Sequence, residues 1–291
     1  MRSTLVLVAA IVAAAPQATS LRAVYVTAAS ADGSPFSLDA ADLVVKEGDQ
    51  TRKVLKVEPS RAKLQVAIAV EQLLSPDNEV RRALANFIDQ IRESGQLALY
   101  TVGRRMEKRV DYSSQILPFA AAINKFPVRA VEPADLVQAL HEIAKDQRGL
   151  EGRHAVVTIA TQTAQVSTAT ADAVLEQLTG GRAVLYAATL TGSETSTIPF
   201  GSTSGGRRLD LEGQASGLER DKVFNAATKQ SGGLHISSQR TAGLWAALER
   251  IAAELQHQYV VSYDGDARSD GTLAIEAARR GITVRGPARV K

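Results

Sequence analysis

Four short apolar runs decide what this chain can fold into. They are Leu64–Val70, Leu97–Val102, Ala155–Ala160 and Ala183–Ala188. Each is close to continuously apolar, the pattern of a strand covered on both faces. Helix-period stretches separate them. Val80, Leu84, Phe87, Ile88 and Ile91 share one helix face, and Leu136, Leu140 and Ile143 share another. Ala171–Leu178 is a third helix, closed by Gly180-Gly181. Strands alternating with helices require a mostly parallel sheet with helices on both faces. Lys108–Tyr112 adds a short edge strand and Leu234–Ile236 a last one, giving six strands.

Local signals set the ends of the elements. Ser75 reads as the N-cap of the first helix, with Pro76 at its first position. Val223, Phe224 and Ala227 suit a short helix closed by Gly232-Gly233. Leu244, Trp245, Leu248, Ile251 and Leu255 form the final helix, capped by Thr241. Residues 191–217 are rich in Gly, Ser and Thr, a long flexible loop suited to making contacts.

The flanks are all β. Strands are expected at Ala23–Thr27, Asp42–Lys46 and Thr51–Val57, with a turn at Asp32–Pro35. After the last helix come Tyr259–Tyr263, a turn at Asp264-Gly265, and two strands ending near Val284. A piece of some 40 residues is too small to stand alone. The two flanks are therefore expected to pair in a small sandwich. The start of the chain is a separate case. Met1–Thr4 is short and basic, Leu5–Ala15 is wholly apolar, and small and polar residues follow to Ser20. This is a secretory signal, too short to span a bilayer. The expected division is 1–20 signal peptide, 21–60 N-terminal β segment, 61–256 α/β domain and 257–291 C-terminal β segment. Localisation is periplasmic or secreted, with no membrane span in the mature chain.

Composition removes several function classes. Lys and Arg number 34 against 31 Asp and Glu, so the net charge of +3 is no nucleic-acid footprint. Aromatics at 4% make no base-stacking platform. With no Cys, disulfides, thiolate metal sites and a Cys nucleophile are excluded.

Three stretches carry a family resemblance. Ser37–Gly48 resembles an "L-x-x-x-D-F-x-V-x-E-D-G" segment. Ala155–Ala160 stands where a fourth sheet strand belongs. Leu248–Tyr263, ending Glu-Leu-Gln-His-Gln-Tyr-Val-Val-Ser-Tyr, resembles an "E-L-R-H-Q-Y-x-L-x-Y" ending. Together they resemble the von Willebrand factor type A (VWA) domain, and more narrowly the exported bacterial VWA-related proteins. The resemblance implies a doubly wound, Rossmann-like sheet and a metal-ion-dependent adhesion site (MIDAS). That site uses Asp-x-Ser-x-Ser after the first strand, a Thr before the third main helix and an Asp after the fourth strand. Its Mg²⁺ needs six hard oxygen ligands. Here the matching positions are Glu71, Leu73, Ser75, Ala134 and Thr161. The pattern is degenerate, so the expectation is no metal and no cofactor.

Other candidates are weaker. His141, His154, His235 and His257 form no H-E-x-x-H and are read as structural. Gly201–Gly205 has Thr203 where a nucleophile elbow needs Ser. Gly205–Arg208 lacks the Lys of a phosphate loop. Arg104, Arg105, Lys108 and Arg109 read as a solvated turn, and Arg279, Arg280, Arg285, Arg289 and Lys291 as a basic tail. The reading is an exported, non-enzymatic module that binds an unidentified protein through loops after Val70, Ala160 and Leu190. Two alternatives stay open. One is a retained Mg²⁺ site built from Glu71, Ser75 and Asp77. The other is a hydrolase on a Rossmann-like sheet with Glu71 as its carboxylate.

Overall fold

The computed structural model describes residues 19–74, 77–126, 134–161, 167–191, 215–266, 269 and 271–289. The signal segment 1–18, Ser75, the Gly201–Arg208 motifs and Lys291 lie outside them. So does most of the 191–217 loop.

The α/β lobe holds one six-stranded sheet. Its strands are β5 (Leu64–Glu71), β6 (Gly95–Val102), β7 (Met106–Ser113), β8 (Arg153–Thr161), β9 (Ala183–Leu190) and β10 (His235–Ser238). The order is β10-β9-β8-β5-β6-β7, parallel throughout except for the antiparallel edge strand β7. All eight residues of β5 and all nine of β8 are buried, which is why their sequences show no alternation. The alternation is present in residue size. Leu64, Val66, Ile68 and Val70 enter one core, whereas Ala67 and Ala69 enter the other.

Helices α1 (Asn78–Ile91) and α6 (Thr241–Gln256) lie side by side over the first core. Helices α3 (Leu136–Gln147), α4 (Ala171–Gly181) and α5 (215–231) cover the second. The expected face of α1 is fully buried at Val80, Leu84, Phe87, Ile88 and Ile91. Gly95 allows β6 to start against β5, since a Cβ there would lie 1.8 Å from the Leu64 carbonyl oxygen.

Several element ends differ from expectation. The N-cap of α1 is Asp77, whose carboxylate accepts from the amides of Glu79 (2.7 Å) and Val80 (3.3 Å). A carboxylate takes two amides and complements the helix dipole, which a serine hydroxyl cannot match. Thr241 is the first residue of α6 rather than its cap; Arg240 is the N-cap and makes no side-chain cap bond. Gly180 and Gly181 are inside α4, and the left-handed residue that ends it is Arg182. The Arg148 side chain crosses both glycines, filling the space a Cβ would need. Residues 215–217 begin α5 instead of ending a loop. Its middle, Val223–Ala227, is a π-helical turn, and Gly232, at φ +88°, closes it. Helix α2 (Ile116–Asn124) was not expected at all.

The flanking strands form the expected sandwich of two antiparallel sheets. One has the order β13-β1-β11-β4, from β1 (Thr19–Ser30), β4 (Val54–Pro59), β11 (Gln258–Asp266) and β13 (Ile282–Arg285). The other has the order β12-β2-β3, from β2 (Leu43–Glu47), β3 (Gln50–Arg52) and β12 (Leu273–Ala277). The stretch 51–57 thus divides between two sheets. The turn placed at Asp264-Gly265 is strand, with Gly265 opposite Ser20 and Asp264 opposite Leu21. Glycine is needed there because the Arg22 side chain crosses it; a Cβ would lie 2.6 Å from Arg22 Cδ. Val24, Val26, Leu43, Val45, Val261 and Tyr263 fill the space between the sheets.

Candidate functional site at the C-terminal edge of the sheet

The ends of β5, β6 and β8 and the start of α3 converge at one edge of the sheet, the place where open α/β sheets bind ligands. Glu71 ends β5 and is buried. One of its carboxylate oxygens, Oε2, accepts from the Thr161 amide at 2.6 Å and from the Thr161 hydroxyl at 2.9 Å. The side chain therefore clamps the end of β5 to the end of β8. Two of the five positions singled out in the sequence, Glu71 and Thr161, are in direct contact.

The other positions contribute differently. Ala134 is buried in the core with Leu136 and presents only a methyl group. Leu73 has no oxygen on its side chain. Asp77 spends Oδ1 on the second and third amides of α1, and its Oδ2 lies 3.5 Å from the Thr241 hydroxyl. Mg²⁺ needs several hard oxygens free to turn toward it. Glu71 Oε2 is occupied by two protein donors, Asp77 caps a helix, and positions 73 and 134 offer nothing. This donor set does not fit the ion that the resemblance implies. Among the described residues no group of three His, Cys, Asp or Glu side chains is placed to hold a metal.

Around this clamp lies a polar rim that the sequence did not reveal. Asp135 caps α3 through the Gln138 amide (3.2 Å), and its other oxygen accepts from the Thr168 hydroxyl at 2.9 Å. Its own amide donates to the Gly103 carbonyl at the end of β6 (2.9 Å). Ser167 donates its amide to Ser216 Oγ (2.9 Å), and Ala171 donates its amide to Glu219 Oε2 (2.7 Å). The Lys222 ammonium and the Ala171 amide hold the Glu219 carboxyl below the usual carboxylate range. The one available signal was Asp135 three residues before Gln138, an N-cap spacing. Ser216 and Glu219 meet 167–171 only through the fold.

The remaining sequence candidates are placed as follows. His154 Nδ1 lies 2.7 Å from the Gly181 carbonyl, His257 Nδ1 lies 2.7 Å from that of Ala253, and His235 Nε2 lies 2.9 Å from Thr189 Oγ1. In the basic turn Arg109 bonds Thr101 and pairs with Glu107, and Lys108 pairs with Asp111. In the tail Arg279 pairs with Asp42 (2.9 Å), and Arg285 with the buried Glu254 (2.5 Å). Among the described residues no helix is long and apolar enough to cross a membrane.

No family model matches the chain, and no curated protein matches it in sequence. Solved structures do match. Proximal thread matrix protein 1 of the mussel byssus, with a zinc-occupied MIDAS motif, aligns with a TM-score of 0.50 at 11% identity. The match covers 71% of this chain and 48% of that one, so this chain spans about half of the byssus protein. BatB from Bacteroides thetaiotaomicron aligns at 0.42 and 11% identity, over 65% of this chain and 97% of that chain. The SpRpn10 VWA domain aligns at 0.39 and 10% identity, over 66% and 97%. The strand order, the helices on both faces and the byssus alignment agree: this chain has a VWA-type fold.

Proposed function

We propose that this chain is an exported, non-enzymatic protein-binding module of VWA type that works without a metal ion. The observation that carries the reading is the contact between Glu71 and Thr161. A metal at this edge would have to recover Glu71 Oε2 from two short hydrogen bonds. Leu73 and Ala134 would still leave the shell short of oxygens. The same contact argues against catalysis, because the carboxylate serves as an internal acceptor joining two strands. What remains on the edge is a polar rim of Asp135, Gln138, Thr168 and Glu219, suited to hydrogen bonding with a protein surface. For export, cleavage after Ala18 would leave β1 whole, since Thr19 is its first residue and stands opposite Asp266.

The test is a melting curve of residues 19–291 in EDTA and then in Mg²⁺, Mn²⁺ and Ca²⁺. An ion at 100 times its dissociation constant stabilises by about 2.7 kcal/mol, which a melt resolves. The expected result is one melting temperature in all four conditions. A rise with Mg²⁺ or Mn²⁺ that disappears in Glu71→Ala would overturn the metal-free reading.

A further inference from the structure

The opposite end of the molecule holds a different kind of site. Where β9 begins, the outer face of the β1–β11 sheet leans against the end of α4. A cavity of about 130 Å³ opens between the two lobes. Leu178, Val184, Val260 and Pro287 form the apolar part of its lining, and Arg182 and Arg289 belong to the polar part. Both arginines are exposed, and neither has a carboxylate partner among the described residues. A mostly apolar chamber of this size holds one small ring or a short branched chain; a cavity of about 150 Å³ holds benzene.

The backbone adds an independent observation. Arg182 is the only non-glycine residue at positive φ among those described, at φ 51°. Left-handed helix ends are normally given to glycine, because a Cβ is strained there. This chain has two glycines immediately before, at 180 and 181, yet puts them inside α4 and an arginine in the strained position. Local strain of this kind concentrates where a side chain is needed for binding. Here the strained backbone brings a guanidinium to the lining of an apolar chamber that a second guanidinium shares.

We propose that this cleft binds a small apolar group ending in a carboxylate, held by Arg182 and Arg289 with its apolar body between Leu178, Val184, Val260 and Pro287. Guanidinium groups take a carboxylate in charge-assisted, frequently two-pronged hydrogen bonds. A free acid and a peptide C-terminus present the same carboxylate, and titration with each separates them. The site is remote from the Glu71 edge, so it stands or falls independently of the function proposed there.

Calorimetric titration of the mature chain decides it. The probes are phenylacetate, its neutral isostere phenylacetamide, and a tetrapeptide ending in Phe with a free or an amidated C-terminus. The acids are expected to bind and the amides to bind at least tenfold more weakly, the effect of one charge-assisted contact. Arg182→Gly and Arg289→Gln should each weaken the acids about tenfold. Arg182→Gly relieves the strained backbone, so it should melt no lower than the parent, and its loss of binding cannot come from unfolding. If the free-acid peptide binds far more tightly than phenylacetate, the natural ligand is a chain end; if phenylacetate binds as well, it is a free acid. Equal binding of acid and amide would overturn the proposal. So would unchanged binding in both variants, or no binding of either acid at millimolar concentration.

Discussion

The strand ends of the α/β sheet and the interior of the sandwich answer their buried charges with different partners. At the strand ends of the α/β sheet the partners are neutral, whereas Glu254, buried on α6, is met by Arg285 of the sandwich (2.5 Å). Glu71 at the end of β5 accepts from an amide and a hydroxyl of Thr161. Arg153 at the start of β8 donates to the carbonyls of Ala62 (3.1 Å) and Leu255 (2.9 Å) and to Gln258 Oε1 (2.8 Å). In the sandwich the partners are charged. Glu47 is fully enclosed between Arg22 (2.9 Å) and Arg52 (3.2 Å), and it accepts the Asp266 amide at 2.8 Å. Arg52 also reaches the Asp266 carboxylate at 3.7 Å. These groups come from β1, β2, β3 and β11, parts of the chain that are remote in sequence. The large lobe has two wide apolar cores to fix its strands. The small one has a single thin core, and the ion cluster holds its two chain pieces in one register.

The comparison predicts unequal losses. Glu47→Ala leaves Arg22 without its anion and Arg52 with only its 3.7 Å contact to Asp266, and removing one partner of such a cluster costs about 3–5 kcal/mol. Glu71→Ala leaves one amide and one hydroxyl without an acceptor, at about 1–3 kcal/mol. Urea unfolding of the two variants beside the parent measures both. A Glu47→Ala loss no larger than that of Glu71→Ala would mean that the charged partners hold the small lobe no more firmly than neutral ones hold the large.

The same contrast explains what could be read from the sequence. The apolar runs gave away β5, β6, β8 and β9 because strands buried on both faces need no polar residues. The buried face of α1 was visible in its spacing for a related reason. Helix α2 was hidden: Ile-Leu-Pro-Phe-Ala-Ala-Ala-Ile-Asn is short, contains Pro118, leaves Leu117 77% exposed and buries only Phe119 and Ile123. Asp264-Gly265 has turn composition, but the glycine serves the passage of Arg22 toward Glu47, a contact between residues 25 apart. Glu71 and Thr161 stood out as positions, whereas their contact did not, because half of it is a backbone amide that every residue but proline carries. The Arg182–Arg289 cleft joins the end of α4 to the segment after β13, and no local pattern spans that distance.

The smallest expected effect tests whether neutral partnership extends to the edge of the large lobe. His235 lies on β10, its Nε2 2.9 Å from the Thr189 hydroxyl and its ring 5.2 Å from that of Phe224. Burial holds its pKa below the ordinary 6.5, with Asp221 opposing the shift. A depressed histidine is neutral in both folded and unfolded chains well above pH 6.5, so its contribution is fully present there. As pH falls below 6.5 the unfolded chain takes the proton first, and stability is lost until the folded pKa is passed. Melting the parent and His235→Asn between pH 7.5 and 5.5 isolates this contribution from every other titrating group. The parent should lose more stability than the variant over that interval. Parallel losses would show that the edge strand accommodates a charge on His235 as readily as water does, and the rule of neutral partners would then stop short of β10.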